Sequence, residues 1–169
     1  MRIIISDTSC FIDLGKGRLV RTVLKLPYVF VMPDVLFHDE LLNFGVVPKD
    51  DLCRLGLHVV ELDAHGTRRA MEYFAWHWAL TVNDSFALAL AEQTEDCILL
   101  TGDSDLRKIA AGMGIEVHGV LWVVDELEQA RLATARQLYE ALCVFEQDEL
   151  VFLPLSELHS RLRRFKRLL

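Results

Sequence analysis

The stretch Cys97–Ala110, CILLTGDSDLRKIA, decides how the chain is read. A short apolar run, Cys97–Leu100, is followed by Thr101 and Gly102, then by two aspartates one residue apart, Asp103 and Asp105. An apolar run of this length, closed by a turn signal, reads as a buried strand, and the residues after it have helical spacing. An aspartate at such a junction can cap the helix, stabilising it by roughly 0.5–2 kcal/mol. Two like charges side by side where a buried strand ends also suit a site that needs negative charge.

The same strand, turn and helix plan recurs along the 169 residues. Arg2–Ile5 reads as a first strand, followed by DTSCFIDLG, where Thr8 or Ser9 would cap a short helix ended by Gly15. GRLVRTVLKL looks helical, and YVFVM is a second strand closed by Pro33. PDVLFHDELLNFG opens with Pro33 and Asp34 and stops at Gly45, the usual asymmetry of a helix. LHVVEL gives a third strand. GTRRAMEYFAWHWAL and NDSFALALAEQTE give two helices, the second starting at Asn83 or Asp84. CILL is a fourth strand and IEVHG a fifth. Strands alternating with helices predict an α/β fold: three layers, with a central, mainly parallel sheet between helices. After His118 only helical patterns remain, so residues 1–118 are expected to form the α/β domain and residues 119–169 a helical extension packed on it. Trp76, Trp78 and Trp122 are expected in the core or at a subunit interface.

Composition narrows the function classes. With 52% hydrophobic residues the chain can bury a real core, but no apolar run approaches the roughly 20 residues that span a bilayer. MRIIISD does not read as a signal peptide. Cys10, Cys53, Cys97 and Cys143 form no paired motif, which predicts reduced thiols and a cytoplasmic protein. A net charge of −7 argues against nucleic-acid binding through a generally basic surface. The charge is uneven: HSRLRRFKRLL ends the chain with Arg161, Arg163, Arg164, Lys166 and Arg167 and no acid. This is either a solvated helix face or a contact for phosphate or an acidic partner.

In open parallel sheets, ligands bind beyond the carboxyl ends of the strands, where strand order switches. Asp7 follows the first strand at that end, and Asp103 and Asp105 follow the fourth. Asp84 stands at the head of the preceding helix, and Glu40 lies in the helix after the second strand. Each acid alone reads as a cap or a solvated residue. Together they occupy equivalent ends of distant elements, and if the first and fourth strands are neighbours, at least three converge. Gathered carboxylates repel one another, and a hard divalent cation such as Mg²⁺ or Mn²⁺ relieves the repulsion. The six histidines form no metal-binding motif.

Four segments, IIISDTSCFIDLGKG, FVMPDVLFHDELL, LTVNDSFALALAEQ and ILLTGDSDLRKIA, resemble in order the acidic signatures of the PIN-domain superfamily. That family includes metal-dependent ribonucleases, among them VapC-like toxins of prokaryotic toxin–antitoxin pairs. The resemblance covers Arg2 to His118, and the helices beyond it look like the extension of some prokaryotic PIN proteins. Carried over residue by residue, it implies catalytic acids at Asp7, Glu40, Asp84 and Asp103, with Asp7, Asp84 and Asp103 as metal ligands. Asp105, Thr8, Ser9 and Thr101 match accessory positions. HDELL supplies both Asp39 and Glu40, so either residue fits the helix position.

The resemblance further implies Mg²⁺- or Mn²⁺-dependent endonucleolytic hydrolysis of single-stranded or loop RNA, leaving a 5′-phosphate and a 3′-hydroxyl, with an antitoxin partner and a homodimer as expected associates. Arg107 and Lys108 follow the acidic loop and are candidate phosphate contacts or a solvated helix face. A PIN fold acting as a catalytically weak binding or regulatory module is the alternative. A phospho-accepting receiver domain fits less well, because it needs paired acids near the first strand and a lysine after the last.

Overall fold

The computed structural model describes residues 1–39 and 47–169. Its strands are β1 (Ile3–Ser6), β2 (Val29–Pro33), β3 (Leu57–Val60), β4 (Ile98–Leu100) and β5 (Glu116–His118). They form one sheet in the order β3-β2-β1-β4-β5, and every pairing is parallel. Runs of isoleucine, leucine and valine suit the three inner strands β2, β1 and β4, since a parallel strand is covered on both faces. Ile4 and Ile5 are fully buried, as are Ile98, Leu99 and Leu100.

The chain steps outward from β1 to β2 and β3, then returns past β1 to β4 and β5. Right-handed crossovers in opposite directions put their helices on opposite faces of the sheet. On the outward path lie α1 (Thr8–Lys16) and α2 (Val20–Val23), then α3 (Asp34–Asp39) and α4 (Lys49–Arg54). On the return lie α5 (Ala64–Trp76) and α6 (Val82–Gln93), with α7 (Ser104–Gly112) between β4 and β5. α6 crosses β1, β2 and β4. Ser85 to Ala91 are all buried, so this helix is covered all round and has no polar stripe in that stretch. The result is a three-layer α/β/α fold with its switch in strand order between β1 and β4.

α8 (Val120–Gln129), α9 (Ala135–Gln147) and α10 (Leu155–Lys166) complete the chain. α8 and α9 pack on α1, and α10 packs on α9. Phe145 of α9 and Phe165 of α10 are among the largest fully buried side chains, alongside Phe11 and Phe30. The basic end of the chain is partly consumed in this packing. Arg161 donates to both oxygens of Asp125, and Arg164 donates to Asp125 and Glu128 at 2.8 and 2.6 Å. These two arginines therefore fasten α10 to α8, while Arg163, Lys166 and Arg167 stay exposed.

Several boundaries differ from those expected. Asp7, not Thr8 or Ser9, caps α1, which runs through buried Gly15 to Lys16. Thr81 caps α6, and Asp84 is its third residue. Only Val20–Val23 of GRLVRTVLKL is helical, and a short further helix, α4, precedes β3. The helix expected to stop at Gly45 is described for Asp34–Asp39; Glu40 and the rest of it lie outside the described residues. Trp122 is half-buried, but Trp76 and Trp78 are 61% and 96% exposed and stand outside the core. Among the described residues, no helix is long and apolar enough to cross a membrane.

Gly17 marks how tightly α9 sits on the end of α1. A Cβ there would lie 2.8 Å from Phe145 Cζ and 3.1 Å from Ala141 Cβ, both in the core. Gly17→Ala is therefore expected to cost about 1–3 kcal/mol in urea unfolding, the usual penalty of overpacking. Gly112→Ala, where the added Cβ meets nothing within 4 Å, should be neutral or stabilising. Equal stability of the two variants would contradict this packing.

Candidate active site

Asp7 sits where β1 hands over to α1, at the carboxyl end of the sheet. Its amide donates to the Leu100 carbonyl at 3.0 Å, extending the β1–β4 ladder by one residue. The side chain is only 5% exposed. Asp7 Oδ1 accepts from the Cys10 amide at 3.0 Å and from the Ser9 hydroxyl at 2.9 Å. Asp7 Oδ2 accepts from the Thr101 hydroxyl. Burial raises the pKa of this carboxyl above the ordinary value, and the charge of Asp84 adds to that push. The hydrogen bonds from Thr101, Cys10 and Ser9 oppose it.

Thr101, fully buried at the end of β4, joins two of the acids. Its hydroxyl donates to Asp7 and accepts from the Asp103 amide at 3.1 Å. Asp103 caps α7, with Oδ1 accepting from the amides of Asp105 and Leu106 at 3.0 and 2.8 Å. The loop is held from behind by Arg107, whose guanidinium donates to the Thr101 carbonyl at 3.0 Å. Arg107 is thus a half-buried strut and not a solvated helix face. Asp84 is fixed by a reciprocal capping box: Thr81 donates its amide and hydroxyl to Asp84 Oδ2, and the Asp84 amide donates back to the Thr81 hydroxyl.

Asp7, Asp84 and Asp103 line one cleft of about 690 Å³, together with Thr8 and Ser9. Asp105 does not line it; this side chain is half exposed and stands 3.9 Å from Lys108, itself exposed on α7. Glu40 lies outside the described residues. The cleft also carries two charged residues with no motif to mark them in the sequence, Asp13 and Lys16. Ser9, Ile12, Asp13 and Lys16 line the cleft at helical spacing, a stripe legible once α1 is known to start after Asp7. Lys16 Nζ is 3.0 Å from Asp148 and 4.0 Å from Asp13. Burial lifts the Asp13 pKa from the ordinary 3.8 to about 6, against the pull of Lys16 and with the charges of Asp7 and Asp148 adding to the rise.

A family model described as a PIN domain matches residues 3–166. The chain is a PIN domain. Among curated proteins, no sequence matches it. PIN domains are generally nucleases, and PIN-domain nucleases usually use divalent metals. Among the described residues, no group of three or more His, Cys, Asp or Glu side chains is placed to hold a metal ion by itself. The donors of this PIN cleft nevertheless suit a hard cation held partly through water, because its acids and hydroxyls offer oxygen throughout. The Thr8 hydroxyl adds to this fit: it is buried, lines the cleft and has no hydrogen-bond partner among the described residues. Asp7, Asp84 and Asp103 are the carboxylates that would hold such an ion.

The raised pKa of Asp13 has a consequence for stability. Between about pH 4 and about pH 6 the folded PIN domain keeps a proton there that the unfolded chain releases. Stability from this group is therefore lost as pH rises through that window. Asp13→Asn removes the effect, so the melting temperature of the variant minus that of the wild type should increase from pH 4 to pH 6.5. A difference that stays flat across this range would contradict the assigned environment of Asp13.

Proposed function

We propose that this PIN domain is a Mg²⁺- or Mn²⁺-dependent endoribonuclease that hydrolyses phosphodiester bonds in RNA. The observation that carries the proposal is the common cleft of Asp7, Asp84 and Asp103 at the switch point between β1 and β4. No histidine lines this cleft among the described residues; the titratable side chains that do are carboxylates and the Lys16 ammonium. The ion, when bound, lowers the pKa of water and neutralises charge building on the phosphate.

The chain's own residues do the positioning. Asp7 is locked by Thr101, Ser9 and the Cys10 amide, and so presents its carboxyl group in a fixed geometry without reorganising. Asp103 is fixed as a cap and Asp84 by its capping box, so both carboxylates stand on rigid helix ends. Lys16 brings an ammonium to the rim, held between Asp13 and Asp148, where it can meet a phosphate oxygen. A carboxylate cleft repels a phosphodiester, so RNA binding should depend strongly on the cation. The toxin role, an antitoxin partner and a homodimer are proposed on the resemblance of the four acidic motifs.

Purified protein is expected to cleave single-stranded RNA with Mn²⁺ and to leave it intact with EDTA. Asp7→Asn and Asp103→Asn retain side chains able to cap a helix and should still fold. Both should lose activity by about 10²-fold or more, the order seen when one preorganised charge-stabilising group is removed. Cleavage that survives in both variants would overturn the assignment.

A further inference from the structure

A second groove, of about 780 Å³, adjoins the acidic cleft. Asp13, Gly102, Ser104 and Phe152 line both, so the two form one continuous depression. We propose that this groove is a base-binding subsite, in which Phe152 stacks on an unpaired nucleobase of the RNA next to the bond being cut. The proposal rests on the nuclease reading of the cleft and adds to it a contact with a base of the substrate.

Phe152 is 81% exposed, so it contributes little to the core. Its backbone is nonetheless anchored on both sides. Asp148 pairs with Lys16 and accepts from the Leu150 amide at 2.9 Å, and the Val151 amide donates to the Asp148 carbonyl at 3.0 Å. Val151 is buried, and Pro154 leads into α10, which the Arg161–Asp125 pair holds in place. A large ring held out to solvent on a fixed backbone loses little freedom when a ligand covers it. Leu150 and Leu155 are also exposed, at 75% and 65%, so the apolar surface is a patch and not a single side chain.

The rest of the groove says what covers that patch. Trp122 stacks on His118 with ring centroids 4.4 Å apart and 11° between planes, and both residues line the groove beside the guanidinium groups of Arg107 and Arg161. Aromatic faces and guanidinium planes are the surfaces that hold splayed-out bases. The groove is a poor phosphate channel, because Asp13, Asp125 and Glu157 line it too and Arg161 is paired with the last two. It therefore suits the base of a nucleotide whose phosphate lies in the acidic cleft. A duplex keeps its bases stacked and cannot offer one, so the subsite engages the unpaired base that single-stranded or loop RNA supplies.

The test compares wild type, Phe152→Ala and Phe152→Trp in steady-state cleavage of a short single-stranded RNA with Mn²⁺. Exposed Phe152 can be replaced without loss of fold, which unchanged melting temperatures would verify. The alanine variant should show a KM about tenfold higher at similar kcat, and tryptophan should restore it. In a series of the same RNA carrying one abasic nucleotide at each position in turn, one position near the cut should raise the wild-type KM about tenfold. That position should have no effect on the KM of Phe152→Ala. Equal KM in wild type and Phe152→Ala, or equal abasic sensitivity in both, overturns the subsite while leaving the nuclease intact. Failure of the wild type to cleave RNA at all overturns the nuclease and the subsite together.

Discussion

The hydrogen bond from the Thr101 hydroxyl to the Asp7 carboxylate holds the centre of this molecule together. It links two residues 94 positions apart at the adjoining ends of β1 and β4, where the direction of the chain across the sheet reverses. A carboxylate buried this deeply would favour its neutral form without donors. The three donors on Asp7 oppose that push, although burial still leaves its pKa above the ordinary value. Because the same threonine hydroxyl also accepts from the Asp103 amide, the position of one acid sets the position of the loop that carries another. Arg107 closes the arrangement from behind by holding the Thr101 carbonyl.

The helices after β5 belong to this arrangement as well. Their packing on α1 is close enough that Gly17 has no space for a side chain. It brings Asp148 to Lys16, and with it Leu150 and Phe152 to the wall of the cleft. The family match runs through the same helices, to residue 166. One rim of the cleft is thus built by residues far along the chain from the acidic motifs, and the ionic environment of Asp13 combines α1 with the segment that follows α9.

Much of this was legible in the sequence, for local reasons. Runs such as RIII and CILL are short, apolar and closed by turn residues, and their alternation with helices leaves few topologies besides a parallel sheet. The placing of Asp7 and Asp103 at strand ends follows from the same pattern. Less legible was which residue caps which helix: Asp7 and Thr81 each precede their helix by geometry that several neighbouring Ser, Thr, Asn and Asp residues could have supplied. Illegible were the long-range pairings. Nothing local in HSRLRRFKRLL foretells that Arg161 and Arg164 are spent on Asp125 and Glu128, and nothing near Asp13 foretells Asp148. Lys16 and Asp13 were missed for that reason, since their role depends on which face of α1 borders the cleft.

We propose that the carboxylates of Asp7, Asp84 and Asp103 share a hard divalent ion. A crystal of the protein soaked in millimolar Mn²⁺, with diffraction recorded at the manganese absorption edge, tests it directly. A shared ion gives an anomalous peak inside the cleft that these three residues line. No peak in a solvent-accessible cleft, or manganese bound only elsewhere on the surface, would contradict it.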